Sequence, residues 1–220
     1  MSSDALTPDA AGDLLGREVI TPAMVADALG QAIATRDVRS TLPGIDREAI
    51  EEARRRGATL VFRPRCLADG TPLTLAWLHE RFARSTGPRF RGEDPWFLAE
   101  PFARSETPQP GWALVGKDPW RETLNRTYEE GGRVLERLAR PLPSTWRRRS
   151  AVEAAYDCLI VAITSGARLL ADGWDWTSTA ATDGGRINVG GFGPEGLDVL
   201  SYSKAVKHGA LGICPTIVAG

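Results

Sequence analysis

The chain has 220 residues and a formal net charge of −1, with 42% hydrophobic and 25% charged residues, all ordinary values for a globular protein. These values exclude a collagen-like or disordered chain, and the near-zero charge provides no overall field that would draw the molecule to nucleic acid or anionic lipid. The longest apolar run, 155–163, contains Asp157 and is shorter than the roughly 20 residues needed to cross a bilayer.

The distribution of the cysteines and the composition of the N-terminal residues indicate the cellular compartment in which the protein is expected. Cys66, Cys158 and Cys214 are scattered and form no CxxC pair, which favours reduced thiols. The N-terminal residues lack the basic and apolar regions of a secretion signal. We therefore expect a soluble, cytoplasmic protein with no membrane contact, and no motif indicates a cofactor or a metal.

The segment 1–173 is predicted to form a mainly helical body with a few short strands. Thr7-Pro8 and Thr21-Pro22 each place a capping hydroxyl before a proline, which is typical of a helix start. Asp46 can cap a third helix. Residues 58–63 are rich in strand formers and predict a strand.

Helical spacing predicts further helices beyond this strand. An apolar stripe begins at Leu75, and Ser150 precedes the clearest helix, whose apolar residues from 152 to 163 follow a 3.6-residue period. The five prolines within 85–111 predict a long wrapped connection that ends in a buried strand. Gly131-Gly132 predicts a break in the helical pattern between these regions.

The segment 174–220 is predicted to be a small antiparallel β region. Apolar residues alternate there with polar residues or glycine in short bursts, which is typical of three to four strands with tight turns. So short a β segment needs the helices for burial, and we expect it to pack on the body as one unit. The predicted class is therefore α+β.

Five residues of this tail form a candidate ligand-binding site: Trp174, Trp176, Asp183, Arg186 and Asn188. Indole faces stack on flat ligands such as sugars or bases, and polar neighbours can orient them. The alternative is that the tryptophans fill the core and that the glycines beside Asp183 serve hairpin turns.

Basic residues are concentrated at Trp146, Arg147, Arg148 and Arg149, with further arginines at 133, 137 and 140. Such a run is commonly a solvated helix start, but cations there oppose the helix dipole, which favours a partner. We interpret Trp146 and the three arginines as a surface for a protein partner or a second copy of the chain. Nucleic acid is the alternative partner.

An enzymatic alternative rests on few residues. Cys214 lies six residues after His208, and a thiol needs a nearby base to become a nucleophile. Asp183 with Arg186 is the other possible pair, whereas Cys158, within an apolar helix, is expected to be inert. No pair of metal-ligating residues has the usual zinc spacing.

Four short motifs of the tail support a resemblance: Trp-Thr-Ser-Thr (176–179), Val-Gly-Gly-Phe (189–192), Gly-Leu-Asp-Val (196–199) and Leu-Gly-Ile-Cys-Pro (211–215). Together they resemble the tail of uncharacterised bacterial proteins with a C-type-lectin-like C-terminus. The resemblance implies a strand, glycine-turned hairpins and a closing strand. The disulfides and the calcium-binding Trp-Asn-Asp of true lectins are not in this sequence, so calcium and sugar binding do not follow.

The leading hypothesis is a non-enzymatic binding or structural module that presents its C-terminal β loops. Two alternatives stay open. One is a small hydrolase or transferase with a cleft site near Cys214 and His208, and the other is a nucleic-acid-associated protein that uses the arginines of 133–149.

Overall fold

The computed structural model describes residues 6–16, 19–36, 38–83, 85–92, 95–142 and 144–219, and its α+β class is the one that the sequence predicts. The helices are α1 Pro8–Leu15, α2 Pro22–Leu29, α3 Arg47–Arg55, α4 Leu75–Phe82, α5 Phe102–Ser105, α6 Tyr128–Ala139 and α7 Ala151–Ser165, with 3₁₀ turns at Trp96–Ala99 and Arg121–Thr123. The strands are β1 Thr59–Arg63, β2 Gly111–Val115, β3 Trp174–Ala180, β4 Arg186–Gly193, β5 Gly196–Tyr202, β6 Leu211–Gly212 and β7 Thr216–Val218.

The helix starts follow local chemistry. The Thr7 hydroxyl accepts a hydrogen bond from the Ala10 amide, and Thr21 caps α2 in the same way. The Asp46 carboxylate accepts from the amide at the third position of α3. Because the first amides of a helix have no partner within the helix, these side chains stabilise the starts that the sequence predicts.

The predicted break at Gly131-Gly132 is wrong, because α6 runs unbroken through both glycines. Thr127 and Glu130 form a reciprocal capping box at its start. A β-carbon on Gly131 would lie 3.3 Å from the Ile213 side chain. The glycine therefore allows the last segment of the chain to pack closely on α6, and this packing offsets the low helix propensity of glycine.

The strands form two sheets. β1, β2 and β7 form one antiparallel sheet, and the order in the other is β5-β4-β3-β6. The predicted antiparallel tail needs a correction, because β6 pairs with β3 in parallel. β7 leaves the tail and pairs with β2, so the segment 174–220 contributes to both sheets.

The predicted central helix, α7, is the element around which the fold is arranged. Its residues 151–161 are buried on all sides, as expected for a helix enclosed by other elements. It contacts α2 and α4 as well as the strands β3, β4 and β5. The Tyr156 hydroxyl donates to the Phe62 carbonyl of β1 at 2.9 Å and so ties the helix to the first sheet.

The outer strands are covered by neighbouring segments. Ile20 bonds to the free side of β1, and Arg147 bonds to β7 through both backbone groups of Thr216. On β5, the segment 89–91 bonds to Leu197, and the Trp96 indole donates to the Val199 carbonyl at 2.8 Å. Covered edges limit unwanted strand pairing between molecules.

Close backbone approach at Gly190 generates a test of this fold. A β-carbon there would lie 2.1 Å from the Gly173 carbonyl oxygen, so Gly190→Ala is expected to lower the free energy of unfolding by about 3 kcal/mol. Urea denaturation measures this change. Gly209→Ala, where a β-carbon meets no atom within 4 Å, is the control and should stay within about 0.5 kcal/mol of the wild type. Equal effects of the two substitutions would contradict the packing.

Candidate functional site

Alternation along the strands gives the four-stranded sheet two different faces. The inner face includes Asp175 and is turned toward α7. The outer face includes four of the five predicted ligand-binding residues: Trp174, Trp176, Arg186 and Asn188. Cross-strand pairing adds Tyr202, which lies opposite Arg186. We call this surface the outer face.

Asp183, the fifth predicted residue, lies in the turn between β3 and β4. Its carboxylate accepts a hydrogen bond from the Gly185 amide at 2.8 Å. This contact stabilises the turn, and the side chain is exposed beside the outer face.

Two arginines lie against one aromatic ring at the outer face. The guanidinium carbon of Arg148 is 4.0 Å from the Tyr128 ring centroid, and that of Arg186 is 4.7 Å from it. Arg148 also donates to the Trp176 and Tyr128 carbonyls, at 3.1 and 2.6 Å. Both cations are therefore held in place by an aromatic surface and by backbone acceptors.

An aromatic cluster lies beneath these arginines. Trp176 is fully buried, and its ring is 5.8 Å from Tyr128 and 6.4 Å from Tyr202, in edge-to-face contacts. Tyr202 remains 37% exposed. The cluster thus has a rigid interior and an aromatic residue at the surface.

Three buried polar atoms of the outer face have no hydrogen-bond partner within the described part of the chain: Trp174 Nε1, Arg186 Nε and Asn188 Oδ1. Asn188 is fully buried, and its amide nitrogen donates to the Arg186 carbonyl at 3.2 Å. Buried polar atoms without a partner are uncommon, and because these three atoms are inaccessible to solvent they offer no direct contact to a partner at the surface.

The predicted partner-binding residues at 146–149 are mostly directed into the core. The prediction that this run forms a surface for a partner is therefore corrected. Trp146 is buried against Trp120, with ring centroids 5.2 Å apart. Arg149 is fully buried, and Arg147 bonds to Glu153. Of the run, only Arg148 contributes to the outer face. The arginines at 133, 137 and 140 lie exposed on or just after α6.

Arg149 belongs to a buried ion network that is not among the sequence predictions. Asp157 of α7 accepts from Arg63 at 2.8 and 2.6 Å and from Arg149 at 3.0 Å. Arg149 also contacts Asp175 of β3 at 2.9 and 3.0 Å. Asp175 in turn accepts from the Cys214 amide at 2.8 Å.

Glu153 extends the network toward the surface. It accepts from Arg147 at 2.6 and 2.8 Å and lies 3.4 Å from Arg63. Three arginines thus face three carboxylates, so the buried charges balance. The signals for this network were Asp157 within an apolar helix and Arg63 at the end of an apolar strand, because charges at such positions need internal partners.

The proposed nucleophile and base lie in different surroundings. Cys214 is fully buried, its thiol donates to the Gly116 carbonyl at 3.3 Å, and burial raises its pKa to about 12. His208 is exposed, and its Nδ1 accepts from the Ala210 amide. Burial also raises the pKa of Cys158 well above its usual range. A thiol with a raised pKa is a poor nucleophile.

Across the residues that the structure describes, no three His, Cys, Asp or Glu side chains are placed to hold a metal ion. None of the helices in these ranges has the length and hydropathy of a membrane span. Comparisons with models of protein families, with curated proteins and with solved structures found no match. The C-type-lectin-like resemblance therefore stays a prediction.

Removal of one network partner should destabilise the protein strongly. Arg149→Gln leaves Asp175 buried without its cation, so the free energy of unfolding is expected to fall by about 3–5 kcal/mol. Chemical denaturation followed by circular dichroism measures this fall. Arg133→Gln, an exposed position on α6, is the matched control. A fall below 1 kcal/mol for Arg149→Gln would rule out a stabilising role for the network.

The network also predicts acid sensitivity. Burial alone would raise the pKa of Glu153, but the charge of Arg63 and the bonds from Arg147 lower it from 4.5 to about 2. A carboxyl with a lowered folded-state pKa stabilises the fold above pH 4.5, and this contribution is lost as the pH falls toward 2. The loss is about 3 kcal/mol. Denaturation curves between these pH values should show a shallower decline for Glu153→Gln, and parallel declines would contradict the assignment.

Proposed function

We propose that this chain is a non-enzymatic binding module whose outer face binds a protein partner. The observation that supports the proposal is the cluster in which Arg148 and Arg186 lie on Tyr128 beside the exposed Tyr202. Tyrosine, tryptophan and arginine are the residue types that contribute most to binding energy at protein interfaces.

The rigidity of this cluster favours binding. Trp176 is fixed in the core beneath it, and Arg148 is held by two carbonyl groups. Side chains that are already ordered lose little conformational entropy when a partner binds. The outer face therefore needs little rearrangement to form an interface.

A second exposed aromatic residue extends the surface. Trp96 is 42% exposed, and its indole is held at the edge of β5 by the Val199 carbonyl. Val199 lies three residues before Tyr202 on the same strand, a separation of about 10 Å. A partner that covers both aromatic side chains contacts the edge of β5 and the outer face together.

The charges of the outer face indicate the chemistry of the partner. Arg186 is partly exposed and has no ion pair among the described residues, and Lys204 is exposed next to Tyr202. Lys207, in contrast, is neutralised by Glu130 at 2.9 Å. We infer that the partner presents carboxylates beside an apolar patch, because such groups pair with guanidinium groups held on an aromatic ring.

The enzymatic and nucleic-acid alternatives have weaker support. Cys214 is enclosed in the core, and the arginines at 147 and 149 pair with internal carboxylates. Among the described residues, no carboxylate forms an ion pair with Arg148 or Arg186, and both arginines are partly exposed.

The test begins with affinity capture on the full chain from a lysate of its own cells, followed by titration of the purified captured protein. Arg186→Ala and Tyr202→Ala are each expected to weaken binding at least about tenfold, which corresponds to about 1.4 kcal/mol. Arg121→Ala, an exposed arginine in the turn that precedes α6, is the control. Thermal unfolding verifies that each variant folds. If both variants bind as the wild type does, the outer face is not the interface.

A further inference from the structure

An open cleft lies beside α4. The residues that line it are distant in sequence from the strands of the outer face. The cleft has a volume of about 940 Å³ and lies between α4 and the segment 98–104. Its walls include Trp77 and His79 from α4, Leu98, and Arg104 from α5. A volume of this size can hold a small organic molecule.

The cleft contains hydrogen-bonding groups that the protein itself leaves unused. Within the described ranges, no side chain or backbone group bonds to the Trp77 indole, to the His79 ring nitrogens or to the Arg104 guanidinium. Arg81, in contrast, is anchored by a hydrogen bond to the Leu29 carbonyl at 2.6 Å. A cleft in which polar groups without a protein partner lie beside apolar side chains such as Trp77 and Leu98 is a candidate ligand site.

The wall at His79 is rigid. Its ring lies 5.5 Å from Phe90 and 6.0 Å from Phe97, and His79 also lines a neighbouring cleft of about 630 Å³. Burial lowers the pKa of His79 below its usual value. The lowered pKa favours the neutral imidazole, which can both donate and accept a hydrogen bond.

The charges that line the cleft determine which ligand fits. Among the described residues that line the cleft, Arg81 and Arg104 are positive and Glu80 is negative, which leaves one positive charge without a counter-charge in this set. We propose that the cleft binds a small planar organic monoanion of the aromatic carboxylate class. Its carboxylate pairs with Arg104, and its flat apolar part lies against Trp77 and Leu98.

This proposal does not depend on the proposed protein partner. Arg104 lies on α5, whereas the cluster of Tyr128 and Arg186 lies on α6 and β4. The two binding surfaces can therefore be tested separately, because a failure to bind at one surface does not affect the test of the other.

The test is isothermal titration of the full chain with naphthalene-2-carboxylate and, separately, with the uncharged naphthalene-2-carboxamide. The carboxylate is expected to bind with a Kd on the order of 1 mM or below, and the carboxamide at least about tenfold more weakly. Arg104→Gln should weaken carboxylate binding about tenfold, whereas Arg104→Lys should retain part of it, because the positive charge remains.

Arg121→Gln provides the matched control, since Arg121 is an exposed arginine that does not line the cleft. Its affinity for the carboxylate should equal that of the wild type, and thermal unfolding should show that every variant is folded. The proposal is overturned by an absence of carboxylate binding, by equal binding of the carboxamide, or by unchanged affinity in Arg104→Gln.

Discussion

The fold depends on the pairing of Asp157 with two arginines in its interior. Arg63 comes from β1 in the first sheet, and Arg149 precedes α7 and reaches Asp175 in the second sheet. One carboxylate on the central helix thus connects both sheets. Each buried charge would be costly alone, and the observed arrangement gives every one of them an oppositely charged partner. The network is therefore compatible with this packing of the sheets on α7, whereas a packing that separated the partners would leave buried charges unpaired.

The same network is related to the position of Arg148 at the outer face. Arg149 is directed inward to Asp175, whereas the preceding Arg148 is directed to Tyr128 and the Trp176 carbonyl. Adjacent side chains of an extended segment point to opposite sides. A run of like charges in the sequence is therefore divided between an internal ion network and an outer arginine–aromatic cluster. The two roles are coupled, because the inner contact holds the backbone that positions the outer one.

Some elements and part of the site could be predicted because their causes are local. Thr7, Thr21 and Asp46 cap the helices that follow them, and alternation places Trp174 with Trp176 on one side of β3 and Arg186 with Asn188 on one side of β4. The unbroken α6 and the parallel β6 could not be predicted in this way. The close approach of Ile213 to Gly131 and the pairing of β6 with β3 arise between distant segments.

The sequence by itself determined the α+β class, the helix starts and the central helix, because caps and hydrophobic periodicity act over a few residues. Only the tertiary structure decided that Arg149 is a core residue, that Cys214 is enclosed away from His208, and that the last strand joins the first sheet. Burial depends on what packs against a side chain. For Arg149 those neighbours are Asp175 of β3 and Asp157 of α7, and although Asp157 within an apolar helix signals the need for an internal partner, the sequence does not identify Arg149 as that partner.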